Sequence, residues 1–87
     1  MKLDFGCEDA QKIITQEVVA AYGALCKWRK DSTKENSLKY EKLRHGVSVA
    51  CKIFDLNAGD MFLYIAECSI EDFMALPVND FYNYFSN

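Results

Sequence analysis

The sequence predicts an all-α fold: an antiparallel helical hairpin with short C-terminal helices behind it, a single domain over residues 1–87 that assembles as an oligomeric bundle. Three observations lead there. Apolar residues recur at helical spacing along two long segments, an elbow of only a few residues joins them, and cap and turn signals divide the remainder into short pieces.

From Asp9 to Lys30, the residues Ala10, Ile14, Val18, Ala21, Leu25 and Trp28 follow steps of four, four, three, four and three, so they share one face of a helix. Ser32 then precedes Glu35 by the capping-box spacing, in which the Ser oxygen and the Glu carboxylate satisfy free backbone N–H groups at a helix start. A second helix is therefore expected from Thr33 to Leu56, with Tyr40, Leu43, Val47, Ala50 and Phe54 turned inward. Its stop is placed at Asn57 to Gly59, because Gly tolerates the left-handed C-cap conformation. Long helices joined by so short an elbow must pack antiparallel. Asp60 is expected to cap a third helix carrying Met61, Phe62 and Ile65, although "MFLYIA" by itself also suits a buried strand. Ser69 with Asp72 reads as a further cap, Pro77 as the end of that short helix, and "NDFYNYF" as a final turn or two.

Both long helices carry a second apolar stripe. On the first it is Thr15, Val19, Tyr22 and Cys26; on the second it is Leu38, Val49 and Ile53, set among Lys42, His45 and Lys52. A domain of this size buries only about 60 to 65% of its unfolded surface, and its short C-terminal helices can hardly cover both stripes. Self-association as a homo-oligomer is the expected consequence. Gly23 and Gly46 each cost roughly 1 kcal/mol relative to Ala inside a helix, which predicts close backbone approach at both, with helix packing favoured over ligand contact.

The net charge of −3 hides a strong asymmetry. Residues 27–45, "KWRKDSTKENSLKYEKLRH", carry +4 and hold seven of the ten Lys and Arg residues with the one His and the one Trp. Residues 53–87 carry −6 and contain no Lys or Arg. The simplest account sets the basic elbow against the acidic tail of its own or a neighbouring subunit. Such a balance does not suit duplex nucleic acid, whose binders present a continuous basic stripe. A small anion in a local basic pocket avoids repulsion from the tail.

Catalytic signatures are missing: no G-x-S-x-G, P-loop or H-E-x-x-H occurs, and the adjacent Glu71 and Asp72 suit the first turn of a helix. An enzyme is not expected, nor a cofactor. Cys7, Cys26, Cys51 and Cys68 lie 17 to 25 residues apart without a C-x-x-C pair, so zinc is not expected and buried thiols are. The opening "MKLDFGCEDA" lacks an apolar run of signal-peptide length, and no stretch approaches the ~20 apolar residues of a membrane span. A cytoplasmic protein without a membrane partner is expected.

Basic groups interleaved with aromatics match a nucleotide, the cations meeting phosphate and a ring stacking on a base for about 1 to 3 kcal/mol. Lys27, Arg29 and Lys30 gather at the elbow, with Lys34, Lys39, Lys42 and Arg44 on the next helix. Trp28 belongs to the core stripe, so Tyr22 is the stacking candidate, flanked by Lys12 and Arg29. The candidate ligand site is thus Lys12, Tyr22, Lys27, Arg29 and Lys30. Seven of the twelve aromatics, Phe62, Tyr64, Phe73, Phe81, Tyr82, Tyr84 and Phe85, lie in the acidic third, where core packing is expected ahead of contact with a foreign protein.

The segment "STKENSLKYEKLRHGVSVACKIF", residues 32–54, resembles the helical hairpin of small phage anti-CBASS proteins, cyclic-nucleotide sponges that share this domain with some anti-Thoeris proteins. The likeness lies in the polar cap, Glu35, then "SL", "KL" and small residues before an apolar end. Where the family has a Met-Trp-Ala-like segment, this chain has "VSVACKI". The resemblance implies a compact helical oligomer in the host cytoplasm. It would sequester cyclic di- or trinucleotides between subunits without cleaving them, an aromatic on a base and Lys or Arg on the phosphates. Two alternatives remain: a small regulator that inhibits a host protein by contact through its acidic aromatic tail, and a phage morphogenesis factor.

Overall fold

The computed structural model describes residues 7–87; the expected burial of the Cys7 thiol and the part of the domain assigned to residues 1–6 lie outside the described residues. Five helices follow in order: α1 Cys7–Lys30, α2 Lys34–Ile53, α3 Ala58–Glu67, α4 Ile70–Met74 and α5 Val78–Phe85. No strand occurs among the described residues, so "MFLYIA" is helix, with Met61 and Ile65 buried on one side.

Helix α1 has Glu8 and Asp9 in its first turn and Lys27, Arg29 and Lys30 in its last, each sign placed where the helix dipole favours it. The elbow differs from the capping-box expectation by one residue. Ser32 Oγ donates back to the carbonyl of Trp28 at 3.2 Å, which leaves Thr33 to cap α2 by accepting the N–H of Asn36 at 3.1 Å. Asn36 closes the turn, its amide donating to the Asp31 carbonyl at 2.8 Å. The helix therefore starts at Lys34, and Glu35 sits one position too early to complete a capping box.

The end of α2 also moves, from Leu56 back to Ile53. Asp55 takes the left-handed conformation, φ 58°, with its N–H on the Lys52 carbonyl at 3.3 Å, while the N–H of Leu56 reaches the Cys51 carbonyl at 2.8 Å. That pair of bonds is a Schellman termination with Asp where Gly is usual. Asn57, not Asp60, then caps α3, its Oδ1 accepting the Asp60 N–H at 3.1 Å. Ser69 caps α4 as expected, taking the Asp72 N–H at 3.0 Å, and Pro77 stands at the N-cap of α5.

Helices α1 and α2 run antiparallel: Gly46 faces Glu17 near one end, and Trp28 stacks on Tyr40 near the elbow. The C-terminal helices pack on the other side of α1. Tyr22 stacks on Phe62 with centroids 6.4 Å apart, and the Gln11 amide donates to the Leu76 carbonyl at 2.8 Å. They also close over the far end of α2, where Cys51 Sγ meets Met61 Sδ at 4.0 Å. The core joins Ile14, Val18 and Ala21 to Val47, Cys51, Leu56, Met61, Ile65, Phe73, Phe81 and Phe85. Phe73, Phe81 and Phe85 lie 5.5 to 6.0 Å apart, centroid to centroid, in tilted and edge-on pairs. The aromatics at the end of the chain are thus mainly its own core.

This cover is lopsided. Thr15, Val19 and Tyr22 are taken into the fold, so the second stripe of α1 is occupied, while Leu38, Val49 and Ile53 on α2 stay exposed. From Leu25 to Gly46 no residue is fully buried. That half of the hairpin projects as a two-helix arm from a molecule 43 Å long and 20 to 24 Å across.

Candidate functional site: a basic helical arm

The arm is where the cations are. Lys27, Arg29 and Lys30 close α1, and Lys34, Lys39, Lys42 and Arg44 line α2; all seven side chains are exposed. The C-terminal tail lies at the opposite end. The N–H of Asn57 donates to the Phe85 carbonyl at 2.6 Å, and the N–H of Asn87 to the Asp55 carbonyl at 3.0 Å, which ties the tail to the α2–α3 junction. At roughly 1.5 Å per residue, the length of α2 sets that junction about 30 Å from the elbow. Within one subunit, therefore, the basic elbow does not meet the acidic tail.

The five residues expected to form the ligand site are dispersed. Lys12 is exposed in the covered half of α1, about 25 Å along the helix axis from Arg29 at roughly 1.5 Å per residue. Tyr22 is half-buried against Phe62, its ring partnered by the protein itself. Lys27, Arg29 and Lys30 do share the arm. Trp28, assigned to the core stripe, is half-buried and stacked on Tyr40.

A groove of about 290 Å³ opens between the two helices of the arm. Ala20, Gly23 and Ala24 from α1 and Leu43 from α2 line it with apolar groups, and Lys27 from α1 and Asn36 and Lys39 from α2 add the polar ones. Gly23 is exposed, and a Cβ built there meets nothing within 4 Å, so the expected tight packing at this glycine is replaced by open space. At Gly46 the close approach is real, since a Cβ would lie 2.9 Å from Glu17 Oε1. Gly23, Asn36 and Lys39 are the groove residues that sequence reasoning did not assemble. The signal was a glycine inside a helix, Gly23, one turn before Lys27.

No family model, curated protein or solved structure matches this chain. The site therefore has to be judged on its own chemistry. Among the described residues, no group of three or more His, Cys, Asp or Glu side chains is placed to hold a metal, and no helix is long and apolar enough to cross a membrane. The thiols differ sharply: Cys68 is exposed, Cys26 half-buried and Cys51 buried. Burial, reinforced by the Glu17 carboxylate, pushes the Cys51 thiol up to about 11. At the acidic end, partial burial followed by Cys68, Asp72 and Tyr84 holds the Tyr64 phenol above its ordinary range. What the arm offers is a groove with amide and ammonium donors beside small side chains and Leu43.

Proposed function

We propose that this chain is a non-catalytic binding protein whose basic arm captures a phosphate-bearing small ligand, with a cyclic di- or trinucleotide second messenger as the ligand class. By withdrawing the messenger from solution it would block host anti-phage signalling. The observation that carries this reading is the groove between α1 and α2, where Lys27 and Lys39 bring cations from both helices to an open floor at Gly23. Ammonium–phosphate hydrogen bonds are roughly twice as strong as neutral ones, and the C-terminal tail is tied to the α2–α3 junction at the other end of the hairpin. The groove stands at the lower limit of the ~300 to 1,000 Å³ usual for small-molecule sites, so it accepts one phosphate-bearing unit while the rest of the ligand reaches toward Arg29 and Lys30.

Calorimetry against a panel of cyclic di- and trinucleotides tests the proposal. Binding by the wild type, lost in Arg29→Glu and in Lys27→Glu with helicity unchanged, supports it. Silence across the panel refutes it.

A second reading, inhibition of a host protein by direct contact, is favoured by Met74 and Tyr84, which are exposed in the acidic layer and outside the core. Substituting both by Lys would then release a captured host protein, whereas removing residues 79–87 would strip Phe81 and Phe85 from the core and measure folding instead.

A further inference from the structure

The exposed face of α2 is patterned. Leu38, Lys42, His45, Val49 and Ile53 follow steps of four, three, four and four, and all are exposed, directly opposite the buried Val47 and Cys51. Leu38, Val49 and Ile53 are 58%, 47% and 71% exposed, with Lys42 and His45 between Leu38 and Val49 and with Lys52 beside Ile53. Helix α3 has the complementary pattern. Asp60, Leu63 and Glu67 lie at steps of three and four on its exposed face, opposite the buried Met61 and Ile65, with Leu63 56% exposed between two acids.

We infer that these two faces bind each other between copies of the chain: the basic apolar face of α2 in one copy docks on the acidic apolar face of α3 in the next. Within a single chain they cannot meet, because the inner sides of both helices, Val47 and Cys51 on one and Met61 and Ile65 on the other, enter the same core and the outer sides point away from it. A symmetric α2–α2 contact is opposed by charge, since it would bring the Lys42 and Lys52 ammonium groups of two copies onto one shared face. The α2–α3 pairing instead buries Leu63 against Val49 and Ile53 while Asp60 and Glu67 meet Lys42 and Lys52. Such a contact is heterologous: assembly ends in a ring where the rotation between copies closes and runs on as a filament where it does not. This association stands apart from ligand capture and is measured with no nucleotide present.

Light scattering coupled to size exclusion reads it directly. The wild type should run heavier than its 10.0 kDa monomer. Val49→Asp, which spoils the α2 face, and Leu63→Lys, which spoils the α3 face, should each be monomeric with unchanged helicity, because both positions are exposed. Mixed in equal amounts, the two variants still share one intact pair of faces and should form a 1:1 heterodimer of twice the monomer mass. A monomeric wild type at tens of micromolar overturns the inference. So does a mixture that stays monomeric, and so does either variant assembling as the wild type does.

Discussion

Trp28 and Tyr40 stack across the hairpin with ring centroids 6.1 Å apart and planes 11° from parallel. Because no residue from Leu25 to Gly46 is fully buried and Leu43 alone in that stretch packs against the core, this pair is the clasp that holds the two helices together near the elbow. A double-mutant cycle with Trp28→Leu and Tyr40→Leu, read by urea denaturation, should return a coupling of about 0.5 to 1.5 kcal/mol. Strictly additive single effects would show that the rings do not hold the arm.

The glycines give a prediction of opposite sign to their packing interpretation. Gly23→Ala adds a methyl group to open space and removes the entropic cost of glycine in a helix, so it should stabilise the protein by roughly 0.5 to 1 kcal/mol. Gly46→Ala should gain less, since the Glu17 carboxylate must swing aside to admit the new Cβ. Thermal denaturation of the two variants checks the order. Gly23→Leu carries the test into function: it fills the groove floor, so the fold should persist while nucleotide binding is lost.

Phe85 is the keystone of the C-terminal layer. It is buried, pairs with Phe73, Phe81 and Tyr64 at 5.5 to 5.8 Å, and its carbonyl accepts the Asn57 N–H. Phe85→Ala should cost about 3 to 5 kcal/mol, a large share of the ~5 to 15 kcal/mol that holds a typical domain folded. Denaturant titration measures it, and a loss below about 1 kcal/mol would mean that the layer collapses readily around the gap.

The cysteines should separate by chemistry. Brief alkylation near neutral pH followed by peptide mapping should mark exposed Cys68 well before buried Cys51, whose thiolate is suppressed. The same shift has a stability consequence with a definite sign. Burial raises the folded-state pKa of Cys51 from 9.0 to about 11, so its contribution is complete below pH 9 and is lost as pH rises toward 11. Replacing Cys51 by Ala should lower stability at neutral pH and flatten the decline across that alkaline window.

Much of the fold was legible because helical period is a strong local signal. Ile14, Val18 and Ala21 were placed by spacing alone and are in the core. The boundaries were not, because caps compete. Ser32 and Thr33 are both good N-caps, and only the carbonyl of Trp28, presented by the end of α1, draws the Ser32 hydroxyl away. Gly59 was the conventional stop, yet Asp55 enters the left-handed region once Leu56 is needed in the core. For the site, charge clustering located the arm but not its partners. Tyr22 looked available on the helix surface, and the sequence held no sign that Phe62 would cover it rather than Trp28. The groove escaped for the same reason: its walls come from residues 20–27 and 36–43, and which half of the hairpin stays bare depends on where the C-terminal helices come to rest.

The separation of charge along the long axis makes the molecule a strong permanent electric dipole, positive at the elbow and negative where the tail meets the α2–α3 junction. An electric field therefore exerts a torque on it before any contact forms. Near an anion-rich surface the molecule would turn its elbow forward during diffusion, and near a cationic one its tail, so encounters at the arm are selected by orientation as well as by affinity. Screening sets the range of that effect to about 8 to 10 Å at physiological ionic strength, shorter than the molecule itself. The two poles consequently respond to their surroundings independently, and the protein can present a positive end to one partner and a negative end to another at the same time.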